Sequence, residues 1–408
     1  MRLSTDIFLT DVDNSNELYG IHNYHINAYT FVHKEIYNYL SQCSSINDFT
    51  KLNDDLTDEQ ISNLVDNGVL MINEEDYANR SKRAEKGERK KCIKTAYLHI
   101  TMMCNLSCDY CYIADQTNKQ REELSAEKWK TALDLLKKQG LESVTITGGE
   151  PLIYQNIREV ISYARFLGLQ ITLLSNGTLI KENKDLLSIV DKCIISLDGL
   201  KSEMRKGINS TSVLEDILCV TNEYRDKLVV RSVITKGSEN DVNLLGELLQ
   251  VHSISHTKIP ITPCSICEFE LIPDYIANDL LDSDLGFPVR CGAGDTVIAI
   301  SSDGNIYPCQ MMVKEEFLIC NIFDADWLEK YKMNNINDIL ADASIIAHEK
   351  CNNCIAKSLC NGNCRATAFN VYSDITAINE YFCDFCEESA KKTIKRFFED
   401  KMEAINGC

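Results

Sequence analysis

The chain has 408 residues, of which 44% are hydrophobic and 25% charged, a globular composition with length for two or three domains that excludes a disordered polymer. A formal net charge of -19 argues against a protein that grips nucleic acid through its phosphates, because that needs a basic surface. No apolar run approaches the roughly 18 residues that span a bilayer, and the opening MRLSTDIFLTDVDNSNE lacks the basic-then-apolar order of a signal peptide, so a cytoplasmic location without a membrane partner is expected.

Residues 1–78 read as a first unit. Strand patterns in IFLTDV and YGIHNYHI precede expected helices over 28–40, 46–52 and 58–67 and a closing strand VLMI, the order of a winged helix. With 14 acidic against 4 basic residues through Arg80, this unit does not suit DNA. Residues 79–92 (NRSKRAEKGERKKC) are polar and basic without apolar periodicity and read as a linker.

From 93 to 283 strands and helices alternate: AYLHI, a helix over 126–139, SVTIT, 157–167, QITLLS, 184–189, KCIISL, 213–224, LVVRSVI, 242–251, then HTKIPIT. About six such repeats predict an α/β fold with a parallel sheet, either an incomplete barrel or an open sheet, with ligands at the carboxyl ends of its strands. Beyond 284 the alternation fails and cysteines crowd the chain, which ends in an expected amphipathic helix over 387–402. In a reducing cytosol 19 cysteines do not make a disulfide framework, and clustered thiols there usually hold metal.

Directly after the first strand of the alternating region comes TMMCNLSCDYCY, with Cys104, Cys108 and Cys111 separated by three and two residues. Three thiolates in so short a loop suit a cubane cluster with one iron left open to a chelating small molecule. The loop resembles that of the radical SAM superfamily. The resemblance implies a partial (β/α)6 barrel and a 4Fe–4S cluster that chelates S-adenosylmethionine and reduces it to a 5′-deoxyadenosyl radical. It further implies that Tyr110 packs on adenine and that Gly148, Gly149 and Glu150 meet the methionine amino group. Ser175 and Asn176 in LLSNGT and Ser196 in ISLDG would contact ribose and carboxylate, with Arg205 a carboxylate partner. Asp198 is read with equal weight as a contact or as a turn former.

The later cysteines match, gap for gap, the SPASM extension found on a subset of that superfamily. The match implies an outer auxiliary cluster on Cys351, Cys354, Cys360 and Cys383 and an inner one on Cys291, Cys309 and Cys364. That makes three 4Fe–4S clusters in all, with an electron donor such as a flavodoxin or ferredoxin. The inner set is one thiol short. Either Cys264 or Cys267 folds back to complete it, or the site is open to a substrate thiolate, the reading preferred here. Cys386 could compete as an outer ligand. Sulfatase maturases of the family carry an aspartate directly after the second inner cysteine, where this chain has Gln310, which cannot take a proton in that way.

The first unit resembles in its pattern the winged-helix RRE domain that captures the leader of a precursor peptide by adding a strand to a sheet edge. The expectation is therefore an RRE-like domain (1–78), a linker (79–92), a radical SAM core (93–283) and a SPASM domain (284–408). Together these imply a maturase of a ribosomally made precursor peptide, most simply a thioether former. Carbon–carbon crosslinking, epimerisation and formylglycine formation are the alternatives.

Overall fold

The computed structural model describes residues 2–3, 7–11, 18–23, 28–36, 38, 57–71, 91–119, 122–273, 291–336 and 339–340, and 349–396 with short gaps. Residues 79–90 of the expected linker and the helix expected over 46–52 lie outside these residues, as does the end of the helix expected over 387–402.

At the N-terminus, strands β1 (Arg2–Leu3), β2 (Ile7–Asp11), β3 (Leu18–Asn23) and β4 (Ala28–His33), helix α1 (Asp58–Asp66) and β5 (Leu70–Met71) form a small unit. Strands β2, β3 and β4 make an antiparallel sheet, and β1 pairs with β5. Thr57 and Gln60 form a reciprocal capping box at the start of α1, each satisfying a backbone N–H of the other. Ile21, Val32, Leu64, Val69 and Leu70 close a separate core. The helix expected over 28–40 is corrected in its first half, where Ala28–His33 is a strand paired along its length with β3, while residues 34–36 and 38 are helical. The local sequence AYTFVH is β-branched and aromatic, with Thr30 and Val32 alternating into the core, and pairing overrides any helical reading.

The large sheet has nine strands in the order β13-β12-β10-β9-β8-β6-β14-β15-β16. Its parallel part comprises β6 (Thr95–Thr101), β8 (Ser143–Gly148), β9 (Gln170–Ser175), β10 (Lys192–Ser196), β12 (Leu228–Ile234) and β13 (Ser255–Pro260). Helices α2 (Ala126–Lys137), α3 (Ile157–Phe166), α4 (Ser210–Tyr224) and α5 (Glu239–Val251) are its crossovers, and the stretch near 184–189 is a 3-10 turn, Lys184–Ser188. In α2, Ser125 caps the first turn, and Trp129, Leu133 and Leu136 fall on one buried face at helical spacing. Burying each of those leucines contributes about 2 kcal/mol. No helix among the described residues is long and apolar enough to cross a membrane.

Period-two alternation sorts the strand residues. Leu98 and Ile100 of β6, Val144 and Ile146 of β8, and Leu228 and Val230 of β12 join the helices in the main core. Their neighbours Tyr97, His99, Thr145, Thr147 and Arg231 face the other way, into a polar lumen. Strands β6 and β12 stand four strand spacings apart in the sheet, about 19 Å if it were flat. Yet the Arg231 charge acts on the Tyr97 hydroxyl, so the sheet curls and holds the two nearer than a flat sheet would. This is the expected part-barrel.

The C-terminal unit is not detached from that sheet. Strand β14 (Val297–Ile300) pairs parallel with β6, and β15 (Asn305–Tyr307) and β16 (Cys320–Asn321) continue it antiparallel. Helices α6 (Trp327–Met333) and α7 (Arg365–Tyr372) follow. The chain thus places Cys309, just past β15, two strands beyond the first barrel strand.

Candidate active site and metal centres

The loop bearing Cys104, Cys108 and Cys111 leaves β6 at the carboxyl end of the sheet. Asn118, in the left-handed region at φ 57, accepts from the Cys104 N–H (2.8 Å) and donates its own N–H to Met102 O (3.0 Å), closing the loop. A short strand β7 (Ser107–Cys108) pairs antiparallel with β11 (Arg205–Lys206) and fixes the middle of the loop. The three sulfurs act on one another electrostatically, and burial pushes Cys108 up to about 11. All three are free thiols facing one small volume.

The GGE turn at the end of β8 lies directly under this loop. The Gly149 N–H donates to Thr101 O (2.9 Å) and the Glu150 N–H to Met103 O (2.8 Å). A Cβ on Gly149 would stand 2.2 Å from Met103 O, so only glycine lets the two backbones approach this closely. Glu150 is fully buried. Its carboxylate accepts from Leu152 N (3.0 Å), Ser175 Oγ (2.9 Å) and Asn176 N (2.7 Å). Burial outweighs these donors and raises its pKa to about 7. Ser175 and Asn176 are thereby locked to Glu150. Asn176 also accepts from the Thr178 hydroxyl and donates to Asn105 Oδ1 (2.8 Å) inside the cysteine loop. Ser196 ends the next strand over, with Arg231 as its register partner.

Asp198 is a hub rather than a bare turn. It accepts from Arg205 Nε (2.9 Å), from the Val233 N–H (2.9 Å) and from the Tyr110 hydroxyl. The Arg205 guanidinium lies 5.5 Å from the centre of the Tyr110 ring, with Nη1 3.8 Å from Cys108 Sγ. Arg205 therefore has a carboxylate partner within the chain, whereas the sequence reading gave it the carboxylate of a cofactor. What it offers the loop is positive charge beside Cys108, which favours a thiolate there.

Among the C-terminal thiols two groups act on one another electrostatically. Cys291, Cys309 and Cys364 act on one another, with Cys309 pushed by burial up to about 12. Cys351, Cys354, Cys360 and Cys383 form the second set, and Cys386 joins it through a hydrogen bond with Cys360. Among the described residues no three His, Cys, Asp or Glu side chains meet tightly enough to hold a single ion. Of the two spare thiols considered for the inner set, Cys264 lies near both Cys364 and Cys111, while Cys267 is exposed.

Tyr112 was missed by sequence reasoning. It hydrogen-bonds Thr147 and feels Cys111 on one side and Cys309 and Tyr97 on the other, so it stands between the first loop and the inner thiol set. Asn105, Asn118 and Thr101, which tie the cysteine loop down, were also missed. Their one signal was that polar residues flank the motif.

A three-cysteine loop at the mouth of a part-barrel, seated on a glycine–glycine–glutamate turn, is the arrangement of a radical SAM domain. A family model described as the Radical SAM superfamily matches residues 98–242, and this chain carries that domain as an S-adenosylmethionine-dependent enzyme. It is 23% identical over 354 residues to a cysteine-type anaerobic sulfatase-maturating enzyme of Clostridium perfringens, covering 72% of this chain and 92% of that one. It is 27% identical over 261 residues to the antilisterial bacteriocin subtilosin biosynthesis protein AlbA of Bacillus subtilis, 56% of this chain and 57% of that one. Among solved structures, Streptococcus suis SuiB bound to S-adenosylmethionine superposes with a TM-score of 0.58 at 18% identity, over 94% of this chain and 100% of that one. The α/β fold is thus shared with that structure.

Proposed function

We propose that the chain is a radical SAM/SPASM maturase of a ribosomally made precursor peptide, with an RRE-like domain at 1–78, a linker at 79–92, a core at 93–283 and a SPASM domain at 284–408. The observation that carries this reading is the gathering of the C-terminal cysteines into an inner set of three and an outer set of four beside the barrel lumen. Relatives point the same way. AlbA is named for the biosynthesis of a bacteriocin, and SuiB has been solved bound to a precursor peptide.

Cys104, Cys108 and Cys111 would hold the cluster that binds S-adenosylmethionine, and the two C-terminal sets would hold auxiliary clusters. When bound, these groups supply a 5′-deoxyadenosyl radical and sinks for electrons. Gly148 and Gly149 bring the turn against the cysteine loop, and Glu150 offers an ammonium group a carboxylate already aimed by three donors. Arg205 sets the charge at Cys108. Tyr110 supplies an aromatic face at the loop, with Ser175, Asn176 and Ser196 along the strand ends. The sheet formed by β2, β3 and β4 leaves two edges at which a leader could add a strand. An electron donor such as a flavodoxin or ferredoxin and a cytoplasmic setting complete the proposal.

The product proposed is a thioether from a substrate cysteine, two hydrogens lighter than its precursor. Formylglycine formation is the second reading, favoured by the match over 92% of the sulfatase-maturating enzyme and opposed by Gln310, which lacks a basic carboxylate. Co-expression with a cysteine-bearing precursor followed by mass spectrometry tests both. Loss of about 2 Da at the cysteine together with a carbon partner supports the thioether. Conversion of the cysteine to an aldehyde supports the second reading. Full turnover by a chain lacking residues 1–80 contradicts leader capture.

A further inference from the structure

Arg231 has no role in the site described so far. It sits in the middle of β12, on the luminal face, with Leu228 and Val230 turned into the main core on the opposite face. Its Nε is buried without a hydrogen-bond partner, and among the described residues no carboxylate pairs with it. An arginine stays charged in a protein, and this half-buried one keeps a buried Nε donor that nothing here satisfies. The surroundings are polar and similarly unfilled. His99, two residues along β6 from Tyr97 on the same face, is fully buried with both ring nitrogens unpartnered, and Gln310 Oε1 is buried without a partner.

We propose that Arg231, on the luminal face of β12 with its Nε unpartnered, is the anchor of a carboxylate-binding subsite that selects substrates with a negative charge close to the bond being formed. The guanidinium fork matches a carboxylate in two parallel hydrogen bonds, and the phenol of Tyr97 can donate a further one. An anionic iron–sulfur cluster at the inner set is a weaker candidate for the partner. Cys309 acts on Tyr97, but no thiol of that set acts on Arg231, and Tyr97 itself is a neutral phenol. As a deepening of the peptide reading, the carboxylate would come from an acidic side chain or from the C-terminus of the substrate; the subsite itself does not depend on that reading.

The test uses reconstituted, anaerobic holoenzyme saturated with S-adenosylmethionine. Calorimetric titration with N-acetyl-glutamate α-amide, which carries one carboxylate, is compared with N-acetyl-glutamine amide, which carries none. Wild type should bind the acidic probe at least about tenfold more tightly, R231Q should lose that preference, and R231K should keep part of it. R231Q should also unfold at a higher temperature than wild type, because a buried charge without a partner has been removed, whereas a merely structural arginine would leave a less stable variant. No preference in wild type overturns the proposal, as does a preference that survives in R231Q, or a probe that competes with S-adenosylmethionine. A second arm offers cysteine-bearing nonapeptides with Glu or Gln beside the cysteine and free or amidated C-termini. Faster consumption of the Glu peptide, or of the free-acid peptide, names the source of the carboxylate. Consumption of none sinks the peptide reading and leaves the probe titration to judge the subsite.

Discussion

Gly148 lies so close to Thr101 that a Cβ built on it would stand 2.1 Å from the Thr101 carbonyl oxygen. Its φ of 135° is also one that side chains rarely adopt. Two elements that the radical chemistry needs together, the end of β6 leading into the cysteine loop and the turn after β8, are therefore held at backbone contact.

Replacing Gly148 with alanine should push the turn and the loop apart. Strain at this φ alone costs about 1–3 kcal/mol, and the steric overlap adds to it. The expected outcome is a folded protein that loses iron from the first site while keeping the auxiliary iron, read by iron analysis after anaerobic reconstitution. Full iron with wild-type formation of 5′-deoxyadenosine would show that the contact is dispensable.

The pair Arg205 and Asp198 is nearly enclosed, with side chains 9% and 6% exposed. Arg205→Ala leaves a buried carboxylate without its cation and should destabilise the core by about 3–5 kcal/mol in urea unfolding. Arg205→Lys should recover only part of this, because one ammonium cannot reach both Asp198 oxygens and Cys108 as the planar fork does. Equal stability of the lysine variant and wild type would contradict that geometry.

His256 predicts a pH dependence. Burial, with Lys258 beside it, lowers its pKa from 6.5 to about 4, and its Nε2 lies 2.7 Å from Ser232 Oγ. The folded state therefore favours the neutral ring. The stability it contributes is complete above pH 6.5 and is lost as pH falls from 6.5 toward 4, where the unfolded chain binds the extra proton. Allowing for partial solvent screening, wild type should lose about 1–2 kcal/mol more than His256→Gln over that interval. Parallel pH profiles of the two proteins would contradict this.

Much of the molecule was legible because its signals are chemical and local. Cysteine spacing named three thiol sets, and within each of them thiols act on one another in the structure. GGE followed a strand, and its glycines prove to be required by contact with the loop. Alternating strands and helices gave the part-barrel, since strands buried on both faces and amphipathic helices leave strong periodicities. What was not legible depends on distant partners. Ala28–His33 is a strand because β3 lies beside it, not because of its own sequence. The pairing of β14 with β6, which carries the C-terminal unit onto the barrel, joins residues some 200 positions apart and leaves no local trace. Arg205 was assigned to a cofactor because Asp198, seven residues away, gave no sign that the intervening turn would bring the two together. Tyr112 and Arg231 stood out only once the lumen had a shape.

The measurement that bears most directly on the account is the yield of 5′-deoxyadenosine from anaerobic protein given S-adenosylmethionine and dithionite, for wild type and for the variant with Cys104, Cys108 and Cys111 all changed to alanine. The account predicts turnover in wild type and none in the variant, which should retain about two-thirds of the iron in its auxiliary sets. Cleavage that persists in the variant, or a wild type that carries its full iron and cleaves nothing, would contradict it.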